Sequence, residues 1–159
     1  MIDPKTQTAT PSPEFTVLGE ALALMAQSDL YGGRSLEAFS QLILPPLALG
    51  QLRIWRSGGL PVGMATWAYL DAETEQAVVD GDQPLSPEAW NCGRLPVVMD
   101  FVAPFGNGFK MARDLTRTIF PGVAFRAARR SSDGRLTKIV QFPGQDAHGN
   151  WASSSATAA

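Results

Sequence analysis

One aspartate, Asp100, stands in the run VVMDFVAPFG (97–106) among valine, methionine, phenylalanine and alanine. A carboxylate in such company needs a partner or hydrogen bonds, because an unpaired buried charge is expensive. On strand periodicity Val98, Asp100 and Val102 share one face, and Val97, Met99 and Phe101 share the other. Asp100 then emerges near the C-terminal end of the strand, beside a loop containing Pro104, Gly106 and Gly108 and the start of a helix. Placed there, it is a candidate base or orienting group, with the helix-start amides as candidate oxyanion donors. The residues alone leave a structural alternative open, in which Asp100 caps the loop or pairs with an arginine.

Other chemistries find little support. The single histidine, His148, lies in a polar, small-residue stretch and makes both a zinc site and a Ser/His/Asp triad poor candidates. The single cysteine, Cys92, has no well-placed histidine to activate it and forms no internal disulfide. No G-x-x-x-x-G-K-[ST] loop, G-x-G-x-x-G turn, G-x-S-x-G elbow or H-E-x-x-H helix is present. No cofactor or metal is expected. A pI of about 5.3 and arginines without interleaved aromatics argue against nucleic acid.

The elements that would position Asp100 follow from period and punctuation. Ser12 and Pro13 open a helix of about three turns in which Phe15, Leu18, Leu22 and Met25 recur at helical spacing, and Gly32-Gly33 ends it. Ser35 caps a second helix, which Pro45-Pro46 should stop. GQLRIWRS and PVGMATWAYL, joined by GGLP, form a hairpin. Residues 71–92 are acidic and irregular, with a helical turn around 72–79. A strand at LPVVMDFVAP precedes the amphipathic helix FKMARDLTRTIF, which turns Met111, Leu115 and Ile119 to one side. GVAFRAARR, SSDG and RLTKIVQF make a second hairpin. This order predicts one α+β domain over residues 14–143 with a largely antiparallel sheet, between disordered tails at 1–13 and 144–159.

Apolar residues at 45% and charged residues at 18% fit a soluble globular chain, and no apolar run reaches the length of a membrane span. The polar, Thr/Pro-rich N-terminus is no secretory signal, so a reducing cytoplasm is the expected location. Net charge is only −2, yet residues 1–109 hold 5 basic and 12 acidic side chains, whereas residues 110–138 hold 8 basic and 2 acidic. That asymmetry suits either a surface that steers an anionic partner or solvated faces balancing the acidic half.

Five stretches carry a family resemblance. FTVLGEALALMAQSDLYGG (15–33), LPVGMATWAYLDAETEQAVV (60–79), EAWNCG (88–93), MDFVAPFG (99–106) and FRAARR (125–130) occur collinearly over about residues 15–144. Together they resemble the RTX toxin-activating, or haemolysin-activating, lysine acyltransferases, and D-x-x-A-P-F-G preceded by W-N-C-G is the most specific part. The resemblance implies a GNAT-like fold, a cytoplasmic setting, and transfer of a fatty acyl group from acyl carrier protein to lysine ε-amines of an RTX-type protoxin. It also implies a homodimer, and a catalytic pair of an aspartate and a histidine.

Asp100 matches the family's aspartate. The histidine, in a motif like S-x-x-H, falls on SDLY (28–31), so this chain keeps Ser28 but carries Tyr31 in the histidine's place. A phenol, with a pKa near 10, is a poor general base at neutrality but can donate a hydrogen bond or proton to a departing thiolate. Asp100 would then orient or deprotonate the amine. The alternative is a catalytically impaired member that survives as a carrier-protein or RTX-protein binding module. Acyl carrier proteins are acidic, which makes Lys110, Arg113, Arg117, Arg126, Arg129 and Arg130 docking candidates. Trp67, Phe101 and Phe105 are candidates for an acyl groove, with plain core packing as the other possibility.

Overall fold

In the computed structural model, residues 12–80, 84–131 and 135–145 are described. The elements run α1 (Pro13–Ala26), α2 (Leu36–Ala48), β1 (Leu52–Ser57), β2 (Leu60–Leu70), α3 (Ala72–Asp80), β3 (Leu95–Val102), α4 (Gly108–Asp114), β4 (Phe125–Arg130) and β5 (Leu136–Phe142). A short 3-10 turn at Pro87–Trp90 precedes β3. The strands form one sheet in the order β1-β2-β3-β4-β5, antiparallel at every junction except β3–β4, so the expected α+β architecture holds. No described helix is long and apolar enough to cross a membrane. The tails expected at 1–13 and 144–159 lie mostly outside the described residues, except that Pro13 opens α1 and the Gln145 carbonyl accepts from the Gly122 amide at 2.7 Å.

Both hairpins form. The first turns on Gly58 and Gly59, whose φ values of +57° and +80° are open to glycine and match the right-handed twist of the flanking strands. α1 forms as expected, and only the expected stop of α2 needs correction. α1 buries Ala21, Leu24 and Met25, while Phe15 and Leu22 face solvent. Ala21, Leu24 and Met25 share one core cluster with Met64 of β2 and Val102 of β3. α2 runs through Pro45 and Pro46 to Ala48. Proline removes a donor but keeps its carbonyl, and here those carbonyls accept from Leu49 (3.1 Å) and Gln51 (2.7 Å) to close the last turn.

The sheet carries helices on both faces. α1 and α2 cover Met64 and Val102, and α3 with the 3-10 turn extends this layer over Ala68, Leu70, Val97 and Met99. On the other face α4 passes into a π-helical turn, Leu115–Ile119, and Leu115 and Phe120 pack on Ala65, Trp67 and Val98. W-N-C-G has a structural role here. The Trp90 carbonyl accepts from Gln51 Nε2 at 3.0 Å, Asn91 bridges to Tyr69, and a Cβ on Gly93 would collide with the backbone of Leu70 and Asp71.

Strict alternation fails in β3. Thr66 pairs with Asp100 but Trp67 pairs with Val98, which leaves Met99 as an extra residue. At such a bulge neighbouring side chains stop alternating. Val97, Met99, Asp100 and Val102 therefore belong to the α1/α2/α3 face, and Val98 and Phe101 belong to the α4 face. The same kink accompanies an opening of the sheet: β3 and β4 pair only at Val97–Arg126 and Val98–Ala127.

Candidate active site

The bulge delivers Asp100 into the layer beneath the α1–α2 connection, and a tight turn delivers its partner. The Ser28 carbonyl accepts from the Tyr31 amide (3.0 Å) and the Gly32 amide (2.8 Å), and Tyr31's carbonyl accepts from Arg34 (3.0 Å). A Cβ on Gly32 would sit only 3.2 Å from the carbonyl oxygens of Ala26 and Ser28, so the turn packs tightest where glycine stands. The turn aims the Tyr31 phenol into the fold, where its hydroxyl donates to Asp100 Oδ1 at 2.6 Å. Thr66 Oγ1 donates to Asp100 Oδ2 at 2.9 Å. Asp100, Tyr31 and Thr66 are 1%, 6% and 0% exposed, so the apolar run does hold a buried carboxylate, satisfied by two hydroxyls.

Burial, and then the charge of Asp100 and the hydrogen bond to it, push the Tyr31 phenol far above its ordinary value; Arg130 and Arg34 pull the other way. Tyr31 is accordingly a neutral donor at any pH at which the protein works. The Arg34 guanidinium lies over the Tyr31 ring at 5.4 Å from its centroid. Ser28 contributes its backbone, and its hydroxyl makes no hydrogen bond among the described residues.

Where β3 and β4 diverge, a cavity of about 640 Å³ opens against Tyr31. Val98 and Phe101 line it from β3, Phe109 and Ala112 from α4, four consecutive residues from Ala127 to Arg130 along β4, and Phe125 and Phe142 at the far end. Ala128 to Arg130 lie beyond the last β3–β4 pair, so on that side their strand edge is free to face the cavity, a consequence of the short ladder. A second, smaller cavity of about 200 Å³ is lined by Tyr31 with residues of α1 and α2, so Tyr31 borders both.

The structure distributes the sequence-derived candidates unevenly. Tyr31 and Asp100 meet directly. Of the three groove aromatics, Phe101 lines the cavity, Phe105 is exposed outside it, and Trp67 is a core residue edge-on to Phe120 at 5.8 Å. Of the basic residues, Arg129 and Arg130 line the cavity, Arg113 stacks over Phe109 at 4.9 Å, and Lys110 and Arg117 are exposed. Arg126 is committed elsewhere, to Glu75 of α3. Thr66 was not anticipated, because threonine suits a strand interior and gives no separate signal. Among the described residues no cluster of His, Cys, Asp and Glu could hold a metal ion.

Residues 10–143 match the model of the RTX toxin acyltransferase family. Similar proteins include the RTX-I toxin-activating lysine-acyltransferase of Actinobacillus pleuropneumoniae, 32% identical over 82% of this chain and 75% of that protein. The protein-lysine palmitoyltransferase of Bordetella bronchiseptica is 28% identical over 85% and 74%. The protein-lysine myristoyltransferase of Kingella kingae is 29% identical over 84% and 79%.

Proposed function

Because the chain belongs to the RTX toxin acyltransferase family, we propose that it is a protein-lysine acyltransferase whose buried Tyr31–Asp100 pair carries the proton of the attacking amine. The acyl donor in this reading is a thioester on acyl carrier protein, the acceptor a lysine of an RTX-type protein, and no cofactor takes part. The acyl chain occupies the cavity between β3 and β4. The exposed Lys110, Arg113 and Arg117, with Arg129 at the cavity, receive the acidic carrier in a cytoplasmic setting.

The observation that carries this reading is the 2.6 Å hydrogen bond from Tyr31 to Asp100 at the cavity wall. A protonated phenol cannot act alone as a base, but it can pass a proton on. The amine nitrogen attacks the thioester carbon, the new C–N bond forms, and the nitrogen gives a proton to Tyr31 Oη as Tyr31 gives its own to Asp100 Oδ1. The C–S bond then breaks. The carrier leaves as a thiolate, which is stable enough near neutral pH to depart without prior protonation and later takes a proton from Asp100 by the return path or from solvent. Relative to the histidine of the family motif, Tyr31 is thus a relay and Asp100 is the terminal acceptor.

Incubation with acyl-loaded carrier protein and an RTX-type acceptor should yield ε-acyl-lysine by mass spectrometry. Its absence with a donor that a histidine-bearing relative can use would overturn the reading. One observation favours the second reading, a binding module: Tyr31 holds its only proton in a bond to Asp100, and both carboxylate oxygens already accept hydrogen bonds. That reading expects carrier or acceptor binding without turnover in the natural chain, and turnover on Tyr31→His.

A further inference from the structure

We propose that Phe125 and Phe142 form a rigid floor to the β3–β4 cavity and set the length of acyl chain that the protein accepts, an inference that rests on the acyltransferase reading. The cavity has two chemically different ends. Arg129, Arg130 and Tyr31 gather at one, beyond the last paired residues of β3 and β4; Phe125 and Phe142 close the other. A thioester and its carrier belong at the charged, tyrosine-bearing end, which points the hydrocarbon tail along β4 toward the phenylalanines. Phe125 to Arg130 spans about 16 Å at the strand rise, the extent of a medium-length fatty chain.

Between the two ends the lining mixes larger side chains, Val98, Phe101 and Leu115, with small ones. Ala112 and Ala127 leave the lumen open at mid-length, where larger residues would fill it. The floor, by contrast, is braced. Phe125 stacks on Phe142 with ring centroids 5.0 Å apart and 11° between planes, and Phe120 backs it at 4.9 Å. Trp67 then meets Phe120 edge-on at 5.8 Å. Phe125 and Phe120 are almost wholly buried, so the rings cannot swing aside without opening packed volume. A floor of this kind produces a sharp cut-off in chain length, unlike a mobile surface. The names of two relatives, a palmitoyltransferase and a myristoyltransferase, mark chain length as a property that varies among similar proteins.

Calorimetric binding of saturated fatty-acyl N-acetylcysteamine thioesters of increasing length, with no lysine acceptor present, tests this on the full chain. Each methylene that finds room should tighten binding about fourfold up to a break, after which the gain stops. Phe125→Leu should move the break to longer chains, and Ala127→Leu, which fills the lumen without opening the core, should move it to shorter ones. If both variants keep the wild-type circular dichroism spectrum and the break stays put, the floor does not set chain length. Absence of any length-dependent binding to the wild type would overturn the proposal as well. Length-dependent binding with the expected shifts but no transfer to lysine would sustain the floor and overturn the acyltransferase reading instead.

Discussion

Two nearly buried carboxylates, Glu75 on α3 and Asp100 on β3, have been given opposite kinds of partner. Glu75 is ion-paired to Arg126 of β4, one acidic and one basic half of the chain meeting in a single contact. Asp100 takes its hydrogen bonds from two neutral hydroxyls, Tyr31 and Thr66. A guanidinium neutralises a carboxylate and occupies its lone pairs in a fixed geometry, which suits a strut. Here the strut bears on β4, the strand that shares only two residue pairs with β3. Hydroxyl donors position a carboxylate without cancelling its charge, which suits a group that must later accept a proton.

The comparison can be broken most forcefully at Asp100. Asp100→Asn keeps the shape and replaces the charge, and transfer to lysine should fall by about 10²–10⁴-fold while the chain stays folded; a variant that retains full turnover would make Asp100 another strut. Tyr31→Phe keeps the ring but removes the phenolic oxygen, and the rate measured by mass spectrometry should drop by about 10²-fold. An effect within experimental scatter would mean that the phenol only fills space. Glu75→Ala should act on stability, lowering the urea-unfolding free energy by about 1–3 kcal/mol. That is less than for a wholly buried pair, because the Arg126 side chain is 41% exposed. Its rate per folded molecule should hold.

Smaller effects sharpen the contrast. Thr66→Val leaves Asp100 Oδ2 without its donor and should destabilise the fold by about 1–2 kcal/mol in the same urea assay. The raised Tyr31 pKa adds an alkaline signature. The unfolded phenol ionises near pH 10 and the folded one well above it, so above that pH the native state binds more protons than the unfolded state. The contribution of Tyr31 to stability is therefore complete below about pH 10 and is lost as pH rises beyond it. Tyr31→Phe should flatten the alkaline loss of stability in the same urea assay. An alkaline loss unchanged by that substitution would count against the buried phenol.

Much of the frame was legible locally. Glycine pairs, caps and periodicity located both hairpins and all four helices, because each depends on residues a few positions apart. What periodicity left open depended on tertiary packing, and the one misjudged helix end did not. The buried stripe of α1 packs with Met64 of β2, whereas the run of α2 through Pro45 and Pro46 is closed by amides only four and five residues on, a local feature that the stop signal misjudged. For the candidate site, Asp100 and Tyr31 could be named from their motifs, whereas Thr66, 34 residues before Asp100, carried no signal of its own.

By itself the sequence determined the helices and strands, the family resemblance, and the presence of one aspartate in an apolar run with a tyrosine where an imidazole was expected. Tertiary structure alone decided what that aspartate meets. The bulge at Met99 depends on the register between β2 and β3, and it brings Asp100 to the face where Tyr31 and Thr66 wait. The gap between β3 and β4, and hence the cavity, depends on a ladder only two residue pairs long. Register and strand divergence are set by contacts between segments far apart in the chain, which local periodicity does not encode.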